Sequence, residues 1–118
     1  MSRLLQRIDS VFLVVKEFEK AITWYSETLG LEIRFRNNAI AAFNVGSSDN
    51  TALTLVNADV LAEGEVHPQF NFFTEDIEAA HAYFTERKVD VGPIRDYGDM
   101  RTFDFKDLDG HTLNVVTF

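Results

Sequence analysis

The sequence contains no cysteine among its 118 residues. This absence excludes disulfide bonds, thiolate zinc sites and a cysteine nucleophile. Basic residues are also scarce, since 11 Lys and Arg stand against 19 Asp and Glu and give a formal net charge of −8. Nucleic-acid binding needs a basic face, so the charge balance argues against it, whereas an acidic surface tolerates neutral or cationic small molecules. No apolar run approaches the ~20 residues of a membrane span, and the N-terminus shows no signal-peptide pattern. We therefore expect a cytoplasmic protein that binds neither nucleic acid nor membranes.

Apolar residues are plentiful, in contrast. They make up 46% of the chain, and 13% of the residues are aromatic, including 11 phenylalanines. Such a composition excludes intrinsic disorder, which requires low hydrophobicity. The length is typical of one domain, so residues 1–118 are expected to share a single fold.

The sequence pattern of the first half of the chain predicts a strand, a helix and three short strands. Residues 8–15 are rich in β-branched and aromatic residues and predict a strand. From residue 17 the apolar residues recur with helical spacing until Gly30, which suits a left-handed helix cap. Turn-forming residues then separate three predicted strands at 31–36, 39–45 and 51–57.

The second half repeats this order. We predict a strand at 69–74, a helix at 75–87 and strands near 89–91, 100–105 and 112–118. Residues about 59 positions apart correspond, for example Glu17 with Asp76, and Trp24-Tyr25 with Tyr83-Phe84. The sequence therefore predicts an α+β fold built from two tandem β-α-β-β-β modules. Module one spans about 5–57, a linker spans 58–68 and module two spans about 69–118.

Two motifs carry a resemblance to a known family. The first is Val15-x-x-Phe18-x-x-Ala21-x-x-Trp24-Tyr25-x-x-x-Leu29-Gly30-Leu31, and the second is Asp107-Leu108-Asp109-Gly110-His111. Together with the repeat they resemble the vicinal oxygen chelate superfamily, which includes glyoxalase I, bleomycin-resistance proteins, fosfomycin-resistance enzymes and extradiol dioxygenases. The resemblance implies that the modules form an incomplete barrel with a cleft, usually within a homodimer.

The same resemblance implies a divalent metal held by four strand positions in that cleft. In this chain the matching positions are Ser10, Thr54, Gln69 and Asn114. Divalent metals favour carboxylate or imidazole ligands, and these four side chains offer neither. We therefore expect no metal and no other cofactor.

Strand alternation assigns further residues to the same face, because successive side chains point to opposite sides of a strand. The predicted ligand-binding residues are Ser10, Phe12, Thr54, Gln69, Asn71, Phe73, Arg101 and Asn114. The opposite parity is uniformly apolar and is expected to lie under the two helices: Val11, Leu13, Leu53, Leu55, Phe70, Phe72, Leu113 and Val115. A mixed polar and aromatic face is typical of small-molecule sites. The alternative is a face covered by a loop or a dimer partner.

These observations favour a metal-independent small-molecule-binding protein that resembles the bleomycin-resistance proteins of antibiotic resistance. Its mechanism would be sequestration of a ligand between apolar walls and orienting amides and hydroxyls. The alternative is an enzyme of the same superfamily, such as a glyoxalase I-like lyase or a dioxygenase. A metal-free enzyme is a third reading, although no residue is nominated as its acid or base. The sequence leaves open the ligand and whether the cleft forms within one chain, between chains or with swapped modules.

Overall fold

The computed structural model describes residues 3–118. Met1 and Ser2, which begin the stretch without a signal-peptide pattern, lie outside the described residues. The chain divides into two compact units. The first unit is Ser10–Gln69, and the second unit combines Phe70–Phe118 with the chain up to Asp9. No helix of the described residues is both long and apolar enough to cross a membrane.

Residues 3–118 form nine strands and two α-helices. The strands are β1 (Arg7–Val15), β2 (Glu32–Arg36), β3 (Ile40–Asn44), β4 (Ala52–Asn57), β5 (Phe70–Phe73), β6 (Asp90–Val91), β7 (Arg95–Asp96), β8 (Arg101–Lys106) and β9 (Thr112–Thr117). Helix α1 (Phe18–Thr23) continues into a π-helical turn at Trp24–Thr28, and helix α2 spans Ile77–Glu86. A short 3₁₀ turn, Ala58–Val60, follows β4.

The first unit orders its strands β2-β3-β4-β1. β1 and β4 are parallel, whereas β2 with β3 and β3 with β4 are antiparallel. Phe18 and Ile22 of α1 pack on Ala41, Phe43 and Leu55 and form a core in which every residue is buried. Helix α1 therefore covers β3 and β4.

The second unit orders its strands β5-β9-β8-β6, with β7 also paired to β8. Here too the first and last long strands, β5 and β9, are parallel, and β8 is antiparallel to β9. Its core joins Ile77 and Ala80 of α2 to Phe103 and Val115. Each half thus has the predicted order of strand, helix and strands.

The remaining differences from prediction are local. β7 is a two-residue strand that the sequence does not predict, and α1 changes to π-helical geometry at Trp24. The grouping into one domain with modules 5–57 and 69–118 stays a prediction.

One packing expectation is wrong. Val11 and Leu13 are predicted to lie beneath a helix, but they are 40% and 45% exposed. The physical reason is that the buried side of α1 rests on β3 and β4 and reaches β1 only at Val15, which leaves Val11 and Leu13 uncovered. Leu55 and Val115, with the same predicted parity, are fully buried.

Candidate functional site

Two hydroxyl side chains form a buried pair in the first unit. The parallel register of β1 and β4 sets Ser10 opposite Ala52 and Phe12 opposite Thr54. Ser10 Oγ lies 2.6 Å from Thr54 Oγ1 and 3.2 Å from the Ala52 carbonyl oxygen. Ser10 is 4% exposed and Thr54 is 3% exposed. Both hydroxyls are therefore satisfied by the protein itself, as buried polar groups usually are.

Phe12 and Gln69 meet at a groove of the first unit, beside β1. The backbone N–H of Phe12 donates to the Gln69 carbonyl oxygen at 2.7 Å. The His67 ring packs edge-on against Phe12, with 4.7 Å between ring centroids. The groove has a volume of about 380 Å³, and its walls include Phe12, Leu13, Leu61, Val66, His67 and Gln69. An apolar wall with a few polar groups is suited to a small organic molecule.

The second unit presents a polar row on the side of its sheet away from α2. Asn71 of β5 is opposite Asn114 of β9, and Asn114 is opposite Asp104 of β8. The Asn114 amide donates from Nδ2 to Asp104 Oδ1 at 2.9 Å. Asn71 is buried, whereas Asn114 and Asp104 are half-buried. The neighbouring row, which contains Val115, packs in the core. This alternation matches the predicted parity of the strands in the second unit.

Phe73 is the aromatic member of the predicted set in the second unit. The Arg7 guanidinium carbon lies 4.0 Å from the centre of the Phe73 ring, and the Phe118 ring contacts Phe73 edge-on. Arg7 also pairs with Asp9 at 3.2 Å. One face of Phe73 is therefore already covered by a cation of the protein.

Arg101 is engaged away from the polar row. Its guanidinium forms an ion pair and hydrogen bonds with Glu78 of α2. The hydrogen bond from Arg101 holds the pKa of the Glu78 carboxyl below its usual value, and the same bond raises the pKa of Arg101. Arg101 shares its strand parity with Phe103, on the side that faces the helix. The structure therefore does not bring Arg101 together with Asn71 and Asn114, and its role in ligand binding stays a prediction.

The four positions that the resemblance assigns to a metal do not suit one. Ser10 and Thr54 are neutral hydroxyls bonded to each other, and Asn114 is a neutral amide bonded to Asp104. Gln69 would remain as one neutral amide ligand. A divalent cation needs anionic or imidazole ligands to offset its lost hydration. Across residues 3–118, no three His, Cys, Asp or Glu side chains converge in a way that could hold a metal ion.

Asp104 is one of two residues that the predicted set omits. The sequence does contain a signal for it, because the turn at Asp107–His111 folds β8 and β9 into a hairpin. Positions equally distant from that turn must pair, which sets Asp104 beside Asn114. His67 is a second omission, and its signal is its place two residues before Gln69.

Two β-α-β-β-β halves of this topology define a recognised class of protein, and comparison with known sequences identifies it. A profile of the Glyoxalase/Bleomycin resistance protein/Dioxygenase superfamily matches residues 7–115. The chain belongs to this superfamily, which confirms the resemblance and the predicted fold class.

Individual relatives are distant. The chain is 27% identical over 121 residues to the metallothiol transferase FosB of Staphylococcus epidermidis, with 97% of this chain and 85% of FosB covered. Among solved structures, methylmalonyl-CoA epimerase from Mycobacterium tuberculosis has a TM-score of 0.77 at 19% identity, covering 99% of this chain and 91% of that one. A variant of the Streptomyces coelicolor methylmalonyl-CoA epimerase, in complex with 2-nitronate-propionyl-CoA, has a TM-score of 0.76 at 23% identity and covers 96% and 97%. At these identities the epimerases establish the shared fold only.

Proposed function

We propose that this protein binds a small organic molecule without a divalent metal, in the manner of the bleomycin-resistance members of its superfamily. The predicted residues Ser10, Phe12, Thr54 and Gln69 would take part in binding in the first unit, and Asn71, Phe73 and Asn114 in the second. We leave Arg101 out of this set because its guanidinium is bonded to Glu78.

One observation carries the proposal, namely the chemistry of the four metal-ligand positions. The 2.6 Å contact between the Ser10 and Thr54 hydroxyls satisfies each with the other inside a buried region. A metal at this point would have to break that hydrogen bond, and it would gain only neutral oxygens in return. The groove at Phe12 offers apolar walls and the Gln69 amide, which suit an organic ligand better.

The second candidate is an enzyme of the superfamily, a lyase, dioxygenase or transferase. The similarity to a metallothiol transferase across 97% of this chain favours it. Such an enzyme would have to use a metal elsewhere or work without one. Asp104, which accepts a hydrogen bond from Asn114 of the predicted set, is then a carboxylate that could move a proton.

A ligand screen in the presence of a metal chelator separates the two candidates. Thermal-shift hits from a small-molecule library should persist when EDTA is added to both protein and compound. Asn114→Ala should weaken a hit several-fold and change the melting temperature by only a few degrees, because Asn114 is half-buried. Thr117→Ala, on the other side of the same strand, is the matched control and should leave the affinity unchanged. Hits that disappear with EDTA would instead support the metal-dependent enzyme.

We also propose that the protein is a homodimer located in the cytoplasm. Support for the dimer comes from exposed apolar side chains grouped around the groove: Leu13 is 45% exposed, Val14 49% and Val66 80%. Contiguous exposed apolar surface is commonly covered by a partner.

A further inference from the structure

The polar row of the second unit, Asn71–Asn114–Asp104, has a defined hydrogen-bonding polarity. The Asn114 side chain donates through Nδ2 to Asp104 Oδ1, at 2.9 Å. The amide oxygen of Asn114 is therefore turned away from Asp104 and remains an acceptor. A carboxylate accepts hydrogen bonds only, so Asp104 adds a second oxygen and a negative charge. The exposed part of the row thus offers acceptor oxygens and a negative charge, beside the second N–H of Asn114 Nδ2.

The charge of Asp104 is not balanced by an ion pair. Within residues 3–118 the ion pairs of arginine and lysine engage other acids: Asp9, Glu17, Glu19, Glu78 and Glu86. The hydrogen bond from Asn114 fixes the position of the Asp104 carboxylate but does not neutralise it. A half-buried carboxylate interacts with an opposite charge more strongly than an exposed one, because solvent screens it less.

Resting on the proposed function, we propose that Asp104 and Asn114 select the ligand class, which is a small organic cation with a protonated nitrogen such as an amine, amidine or guanidine. Its N–H groups donate to the free oxygen of Asp104 and to the amide oxygen of Asn114. Charge-assisted hydrogen bonds of this kind are about twice as strong as neutral ones, so the row discriminates against neutral isosteres.

Benzamidine and benzamide test this inference, because they have nearly the same shape and differ in charge. Each is titrated into ¹⁵N-labelled protein while the side-chain amide signals of Asn71 and Asn114 are followed by NMR. Benzamidine should shift the Asn114 signals saturably, and benzamide should bind about tenfold more weakly, as expected for the loss of a charged hydrogen bond. Added salt should weaken the binding of benzamidine and leave the binding of benzamide unchanged.

Asp104→Asn is the decisive variant. The new amide oxygen can still accept from Asn114 Nδ2, so the hydrogen bond is retained while the charge is removed. The affinity for benzamidine should fall to about the affinity for benzamide. Asp109→Asn removes the same charge from an exposed turn residue and should leave the preference intact.

The outcomes separate this inference from the proposed function. Equal binding of the two compounds at Asn114, a benzamidine preference that survives Asp104→Asn, or no shift of Asn114 by benzamidine would each overturn the inference. A titration with Zn²⁺ alone in the same sample tests the proposed function independently. Saturable Zn²⁺ binding at Asn114 would contradict metal-free binding, whatever the result with benzamidine.

Discussion

The hydroxyl groups of Ser10 and Thr54 have each other as hydrogen-bond partners. In water each would hydrogen-bond to solvent, whereas here each faces the other at 2.6 Å in a region with 4% and 3% exposure. A buried hydroxyl without a hydrogen-bond partner costs free energy, so the hydrogen bond between the two side chains stabilises the folded state. At the residue scale Ser10 and Thr54 therefore have a structural role, and any ligand must compete with the hydrogen bond between them.

Thr54→Val tests this role. The substitution keeps the shape and removes one hydroxyl, while Ser10 Oγ retains the Ala52 carbonyl at 3.2 Å. We expect a loss of about 1 kcal/mol in the free energy of unfolding, measured by urea denaturation. Leu55→Ala, one residue further along β4 and fully buried, should cost ~2–5 kcal/mol because it leaves a cavity. A loss for Thr54→Val as large as that for Leu55→Ala would contradict this role for the pair.

The two helices end differently, and this difference belongs to the scale of the element. Gly30 follows the first helix with φ of 71°, a left-handed conformation that glycine adopts freely. At the corresponding end of α2 the left-handed residue is Lys88, with φ of 62°. A residue with a side chain is strained in that conformation. The second helix therefore carries a local cost that the first does not.

Lys88→Gly should relieve that strain. The gain should exceed the extra entropy of a glycine in the unfolded chain and give about 0.5–1 kcal/mol of added stability in urea denaturation. Lys106→Gly, in strand β8, is the control and should destabilise by about 0.5–1 kcal/mol. If Lys88→Gly were as destabilising as Lys106→Gly, backbone strain at residue 88 would not be the governing effect.

The turn between β8 and β9 depends on one carboxylate. Asp107 accepts the backbone N–H groups of His111 at 2.8 Å and Asp109 at 2.9 Å, and its other oxygen lies 2.8 Å from His111 Nδ1. The backbone hydrogen bond from His111 is the main reason that the pKa of Asp107 lies below its usual 3.8. A lowered pKa stabilises the fold above 3.8, and this contribution is lost as the pH falls through the lowered value.

Asp107→Asn should therefore destabilise the protein at neutral pH, with a difference from the natural chain that shrinks as the pH falls below 3.8. Chemical denaturation of both proteins at a series of pH values measures this difference in the free energy of unfolding. Asp49→Asn, in an exposed turn, should show no such trend. A difference that grew on acidification would reverse the expected sign.

At the scale of the whole molecule, the repeated module accounts for what the sequence predicts well. Helical spacing of Phe18 and Ile22 and strand alternation around Leu55 and Val115 are local patterns, so element order and core parity follow from them. Exposure of Val11 and Leu13 could not be predicted in this way, because it depends on which strands α1 covers. The same limit applies to Arg101, whose partner Glu78 lies on a different element.

The proposed homodimer also belongs to this scale. Light scattering at micromolar concentration should return twice the chain mass of 13.5 kDa. Val66→Glu would place a charge on an 80% exposed apolar position and should shift the population toward monomer. A mass of 13.5 kDa for the natural chain would contradict the dimer.

The metal content of the natively purified protein tests the central claim most directly. Elemental analysis by inductively coupled plasma mass spectrometry measures it for nickel, zinc, iron and manganese together. We expect only substoichiometric traces of each, because Ser10, Thr54, Gln69 and Asn114 supply no charged or imidazole ligand. A stoichiometric amount of any of these metals, retained through mild purification and lost on Asn114→Ala, would contradict metal-free binding.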